Sequence, residues 1–479
     1  MLCRLKMEVY KFRRLMDSYR WILNFRSVEF YALNGWDHLK QEWKLFLGAT
    51  TVEELISYVN DPNNDRIDAP ESLRNLKDEL KRLEYTRAFV KTPSELWECW
   101  TDEMVQGSWQ NEFRSIISSH KLLRKKIKSK KQHEIDRIIE LVSQIQLFTN
   151  RKSGSNSIDS LVDIGSGVGH LSRMIALHNN LAVMAVEGNH QYTLAASNLD
   201  EKLLQNSAKL DANNFMNSTS TPSRFTDFVT EDMAKKVDEF AVNSAILVGL
   251  HCCGDFSSTI LRMFINSQKA RALVLLGCCY HKEFQCFHFL NPENKSIFKT
   301  EEQTSSTVFP ISRKWEDCEL SYVSRETACH NNENMKKRFL SENIDLSRYA
   351  RARLEKWIWS VSDSANDRNI GVCSVKCDDS TTFEEYIRKA MDKRGRHLLE
   401  KVLEVAPECE LSSPVSSFKS SQFDAFDVIR LMFAPAIESA IIDDRIAFLH
   451  ENGIHAKCVP LFDPTISPRN LAIVAYKQY

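Results

Sequence analysis

Two short segments combine cysteine and histidine, one of them with an acid as well, and these side chains supply proton acceptors, nucleophiles and metal ligands. They are Gly249-Leu250-His251-Cys252-Cys253-Gly254-Asp255 and Gly277-Cys278-Cys279-Tyr280-His281. Each closes an apolar run, SAILVGL in the first case and RALVLL in the second. Runs of this kind are strands, and in an open α/β sheet chemistry gathers beyond the carboxyl ends of strands. His251, Asp255 and His281 are the candidates for base or orienting roles, and with Cys279 they are expected to face a substrate. Two other readings compete. Small thiols can simply pack the tips, since buried cysteine is usually a small hydrophobe. Alternatively, two thiolates and two imidazoles could hold zinc, although the paired spacing is not a known finger pattern. The expectation is a substrate-handling site without a metal.

A glycine loop lies upstream: Asp163-Ile164-Gly165-Ser166-Gly167-Val168-Gly169 follows an apolar run and opens a helical one. Glycine lets the backbone turn tightly and approach a ligand with no Cβ in the way. A dinucleotide fingerprint, GxGxxG, would need glycine at 170, where this chain has His170. The spacing is GxGxG, preceded by an acid. That combination excludes NAD and FAD and suits S-adenosylmethionine, which carries no phosphate but has a cationic amino group and a sulfonium. Glu187, 24 residues after Asp163, ends the next run and can accept both ribose hydroxyls. Asp232, at the end of the RFTDFVTED run (224–232), is the candidate for the adenine amino group. The expected cofactor-binding set is therefore Asp163, Gly165, Gly167, Gly169, Glu187 and Asp232.

The elements that must position these groups read as alternating strands and helices. Apolar runs at 161–165, 181–188, 224–232, 244–254 and 271–281 have the pattern of strands buried on both faces of a parallel sheet. Segments 169–178 and 190–206 have the length of crossover helices. After a helix expected from Phe423 to Asn452, strands at 453–463 and 470–478 are joined through Ser467-Pro468-Arg469, a link short enough to make them antiparallel. The expected fold class is α/β: a Rossmann-like sheet, mostly parallel with an antiparallel last strand, as in class I methyltransferases. Five blocks are expected. Residues 1–120 form a helical N-terminal region and 121–150 a basic segment with a lead-in helix. Residues 151–281 are the first part of the core, 282–420 a mostly helical insertion after the fifth strand, and 421–479 the rest of the core. The N-terminal region is marked by Trp21, Trp36, Trp43, Trp97, Trp100 and Trp109.

Lys plus Arg number 63 against 64 Asp plus Glu, so any pull on phosphate must come from a local patch. One exists: Lys121, Arg124, Lys125, Lys126, Lys128, Lys130 and Lys131. It reads either as a solvated helix face or as a phosphate-contacting patch beside the site, the second of which points to RNA. Thirteen cysteines without a signal peptide fit reduced thiols in the cytosol or nucleus, and the apolar runs are too short for a membrane span.

DIGSGVGHLSR, VEGN, GLHCCGDFS, GCCYH, FPIS (309–312) and FDPTISPRNLAIVAYK together resemble the methyltransferase-like protein 25 family, also called ribosomal RNA adenine dimethylase domain-containing proteins. KSKKQHEI (128–135) resembles the lead-in seen there. The resemblance implies an S-adenosylmethionine-dependent methyltransferase without defining its substrate class. The paired tips also look like a tRNA ribose methyltransferase family, with a His-Leu-Cys-Gly tip followed by a Cys-Cys-His tip. The Asn-Pro-Pro-Tyr tip of many adenine amino-group methyltransferases is absent after Leu250. RNA is the favoured substrate on these grounds; a protein substrate, or a non-catalytic binding role for the fold, are the alternatives.

Overall fold

Leu161 and Val162 are chain neighbours and both fully buried, yet they pack into different hydrophobic cores. Successive strand residues point to opposite faces, so a sheet covered on both sides needs apolar residues at every position. Ile246 and Leu247, then Leu273 and Val274, divide between the two cores in the same way. In this computed structural model the described residues are 8–61, 64, 66–91, 127–153, 157–179, 181–207, 221–282, 309–341, 344–368 and 370–477. They form two compact units.

The first unit takes in Met1–Phe12, Glu84–Leu320 and Glu438–Tyr479. Its sheet holds β1 (Ile158–Ile164), β2 (Ala182–Glu187), β3 (Ser223–Thr226), β4 (Ser244–Cys252), β5 (Ala270–Gly277), β6 (His455–Pro460) and β7 (Leu471–Tyr476), in the order β3-β2-β1-β4-β5-β7-β6. The first five are parallel, and β7 runs antiparallel to both β5 and β6. The fold class expected from the sequence is the one observed. One face is covered by α1 (Ser129–Ser153) and α2 (His170–His178), through Ile135, Ile138, Leu171 and Ile175. After α3 (His190–Ser207) come α4 (Met233–Phe240), α5 (Asp255–Asn266) and α6 (Ala434–Glu451, with this unit from Glu438). These three cover the other face through Val237, Ile260, Phe264, Ile442 and Leu449. The order of strands reverses between β1 and β4, and crevices for ligands open at such switch points, beyond the carboxyl ends.

The second unit, Arg13–Leu83 with Ser321–Ile437, is helical. It draws on two blocks that the linear reading kept apart. Thr51 and Glu54 form a reciprocal capping box that starts helix Val52–Asn60. Asp427, fully buried on helix Ser421–Leu431, is met by Arg338 and Arg348 at 3.0 Å each, by Arg430 at 3.2 Å and by the Ser27 hydroxyl at 2.6 Å. The single helix expected from Phe423 to Asn452 is two helices, Ser421–Leu431 and Ala434–Glu451. Pro435 marks the restart: it has no N–H to donate and is tolerated in a first helical turn. Trp97, Trp100 and Trp109 lie outside the described residues.

Candidate active site

Gly165, Gly167 and Gly169 have φ of 71°, 56° and 69°, the left-handed region in which a side chain is strained. Gly165 and Ser166 donate their N–H groups to Val186 at 2.9 and 3.0 Å, which hangs the loop on β2. The Gly167 N–H donates to Glu187 Oε2 at 2.8 Å, and Asn189 N–H donates to Oε1 at 2.9 Å. Glu187 therefore turns toward the loop, as its proposed ribose role requires. The three glycines are not equivalent. A Cβ on Gly167 would meet nothing within 4 Å, and one on Gly165 would touch the Phe256 ring at 3.5 Å. One on Gly169 would lie 2.2 Å from Arg224 Nη1, so protein rather than open space lies beside that residue.

Asp163 is 2% exposed and accepts a hydrogen bond from the Ser172 hydroxyl at 2.5 Å, tying β1 to α2. Burial pushes its carboxyl above the usual carboxylate range, against the Ser172 bond and the Lys131 and Arg224 charges. Asp232 needs a correction. β3 ends at Thr226, and Asp232 is an exposed residue six positions on, at the start of α4, with no capping hydrogen bond from its side chain. Among the described residues β3 is an edge strand that pairs with β2 alone, over four residues, and the rest of the 224–232 run is not held in the sheet. The acid directly after the strand is Asp227, whose N–H donates to the Glu187 carbonyl and whose carboxylate takes Lys236.

At the β4 tip His251 has φ 66°, rare for a residue with a side chain. Its ring Nε2 lies 3.1 and 3.2 Å from the two carboxylate oxygens of Glu134 on α1. Glu134 also accepts from the Ser467 hydroxyl at 2.8 Å, and the Lys130 and Lys131 ammoniums stand 3.6 and 3.8 Å away. Burial opposes ionisation of Glu134, but His251, Ser467 and Lys131 outweigh it and hold the carboxyl at about 2. Asp255, first residue of α5, is fully buried and its N–H donates to the Lys282 carbonyl. Cys279 and His281 are half-buried at the β5 tip.

The two tips are pressed together. Phe256, whose ring approaches Gly165, donates its N–H to the Cys253 carbonyl, so the β4 tip adjoins the glycine loop. Cys252 packs into the core, but Cys253, Cys278 and Cys279 bring their sulfurs within 4.8 Å of one another. Tyr280 turns back to donate its hydroxyl to Glu438 at 2.9 Å, and Arg469 and Arg87 pair with the same carboxylate. Glu438, 1% exposed, thus ties the β5 tip to the terminal hairpin. Ser312 and the Ile311 N–H, from the FPIS segment, bind Asp444 of α6, and burial pushes that carboxyl up to about 6.

The tertiary structure thus gathers Asp163, the glycines, Glu187, His251, Asp255, Cys279 and His281 at one end of the sheet and leaves Asp232 at a helix start. Sequence reasoning missed Glu134, Ser467, Glu438 and Arg469. The sequence signals for Glu134, Ser467 and Arg469 are HEI in the lead-in and SPR in the last connection. Lys121, Arg124, Lys125 and Lys126 of the basic run lie outside the described residues; Lys128, Lys130 and Lys131 lie within them. Among the described residues no helix is long and apolar enough to cross a membrane.

Residues 130–284, which hold the loop, Glu187 and both tips, match a protein family described as a methyltransferase domain. The chain therefore carries a methyltransferase domain, and that class implies S-adenosylmethionine as cofactor. The chain is similar to the Homo sapiens protein named "Probable methyltransferase-like protein 25", 29% identical over 269 residues, which are 53% of this chain and 41% of that one. The Mus musculus protein of the same name is 27% identical over 272 residues, 54% of this chain and 42% of its own length. The match thus spans about two fifths of these curated relatives, which carry the name of the family that the motifs resemble. Among solved structures, magnesium protoporphyrin IX methyltransferase from Synechocystis PCC 6803 with bound S-adenosylmethionine is 13% identical. It covers 36% of this chain and 79% of that one at a TM-score of 0.22, a likeness that adds nothing to the topology described above.

Proposed function

We propose that this protein transfers a methyl group from S-adenosylmethionine to RNA. The observation that carries the methyl-transfer reading is the glycine loop at the β1/β4 switch point, open at Gly167 and faced by the Glu187 carboxylate. The residues fit that cofactor. Glu187 would take the ribose hydroxyls, exchanging its bond to the Gly167 N–H for them. Arg224 Nη2 is buried without a hydrogen-bond partner and stands beside Gly169, a donor suited to the cofactor's carboxylate. When bound, the cofactor supplies an electrophilic methyl on its sulfonium. The chain's own part is to orient the acceptor, exclude water and take up a proton where the acceptor carries one. His281 is a candidate for that proton, and so is His251 through Nδ1, since its Nε2 faces Glu134.

RNA as acceptor is supported by the basic run, part of which sits at the start of α1 against Glu134 of the site, and by the likeness of the paired tips to a tRNA enzyme. Purified RNA and purified protein, each incubated with the chain and radiolabelled S-adenosylmethionine, test it. Label in RNA is expected, and label only in protein would remove RNA as the substrate. Calorimetry with S-adenosylmethionine tests the cofactor step separately. No heat of binding would favour a non-catalytic role.

A further inference from the structure

The geometry points to a zinc site made by Cys253, Cys278 and Cys279. Of the four cysteines at the two strand tips, three turn their sulfurs toward one another: Cys253 lies 2.8 Å from Cys278, and Cys278 lies 3.7 Å from Cys279. Cys253 and Cys278 also direct their sulfurs at the His251 carbonyl, at 3.4 and 3.6 Å. Zn–S bonds of about 2.3 Å in tetrahedral geometry hold sulfurs about 3.8 Å apart. The Cys278–Cys279 pair already has that spacing, and Cys253 needs to move about 1 Å to complete it. Its present distance is well beyond the about 2.05 Å of a disulfide. The three cysteines are free of disulfides and half-buried.

Two features of the backbone build this cluster. His251 takes a left-handed conformation, which turns Cys253 out of the strand while Cys252 stays in the core. Gly254 lies so close to the Lys282 carbonyl that a Cβ there would be 1.6 Å from the oxygen, so the β5 tip folds over the β4 tip. Thiolate-rich sets select zinc over the harder divalent ions, and each coordinating thiol gives its proton to solvent. Three thiolates and Zn²⁺ leave one net negative charge, and the Lys282 cation acts on both Cys253 and Cys279 to offset it. The set stops at three among the described residues. Three protein ligands leave zinc a fourth position, the arrangement of a site that exchanges ligands rather than one that only staples a fold. This set differs from the two-thiolate, two-imidazole site weighed from the sequence, because neither His251 nor His281 places a ring nitrogen with the three sulfurs.

The test uses the full chain purified under reducing conditions. Elemental analysis after desalting is expected to give about one zinc per chain, falling at least tenfold in Cys253→Ser and Cys279→Ser. Exposed Cys409→Ser should keep its zinc. Replacement by cobalt should produce thiolate-to-cobalt charge-transfer absorption in the unmodified chain, a readout that needs no variant to fold. Metal below a tenth of stoichiometry together with no cobalt band would overturn the proposal, as would a mass two hydrogens light that locates a Cys253–Cys278 disulfide. S-adenosylmethionine binding measured by calorimetry on the chelator-treated chain keeps failure here distinct from failure of the methyltransferase reading.

Discussion

The His251 ring nitrogen sits 3.1 Å from a carboxylate oxygen of Glu134, joining the tip of β4 to the helix that leads into the domain. The two residues are 117 positions apart in the chain. Ser467, from the loop between β6 and β7, completes the contact from the other side of the carboxylate. A buried, hydrogen-bonded carboxylate thus holds three distant segments at the end of the sheet where the candidate site lies.

Acid should loosen this junction. The carboxyl of Glu134 is held at about 2 against an ordinary 4.5, so its contribution is fully present above pH 4.5 and is lost as pH falls through the folded value. By linkage that loss is about 2 kcal/mol between about pH 6 and about pH 3. Denaturant melts at the two pH values should show Glu134→Gln losing less stability on acidification than the unmodified chain, by about this amount. Equal losses would mean the carboxylate is not held as described.

Two glycines separate steric from conformational cost. Gly254 and Gly453 both have positive φ, 54° and 73°, but a Cβ on Gly254 would strike the Lys282 carbonyl while one on Gly453 meets nothing within 4 Å. Gly453→Ala should cost about 1 kcal/mol, the price of the left-handed conformation alone. Gly254→Ala should cost at least about 3 kcal/mol, because backbone must move to admit the methyl. Thermal melts of the two variants check the order, and similar costs would contradict the packing of the tips.

Cofactor binding should fail at Gly167 before the fold does. Its φ of 56° strains any side chain, and an arginine there would fill the open space faced by Glu187. Gly167→Arg is expected to weaken S-adenosylmethionine at least about 100-fold, about 2.7 kcal/mol, in calorimetry with an unchanged circular dichroism spectrum. Unchanged affinity would place the cofactor elsewhere.

In the helical unit, Asp427 is the charge on which three arginines depend. The Arg338, Arg430 and Arg348 charges overcome its burial and hold its carboxyl far below the usual range. Asp427→Ala would leave the buried Arg430 guanidinium without its carboxylate, while Arg348 keeps Asp424, a loss of about 3–5 kcal/mol in denaturant unfolding. A loss under about 1 kcal/mol would show that the cluster is solvated rather than paired.

Strand and loop positions were legible because their causes are local. Near-continuous apolar runs reported burial on both faces, and the GxGxG spacing reported a backbone that turns without side chains. β3 was misjudged at its end for the converse reason: an edge strand has one neighbour, and its apolar content does not say where pairing stops, so Asp232 was carried too far.

By itself the sequence determined the alternation of β and α, the antiparallel finish, the glycine loop and the acid that faces it, all set by residues near one another in the chain. Tertiary structure alone decided which side chains meet at the tips: that Glu134 takes His251, that Glu438 takes Tyr280 and Arg469, and that Cys253 joins Cys278 and Cys279 while Cys252 stays in the core. Such pairings depend on the relative placement of whole strands and helices, and local spacing along the chain carries no record of it.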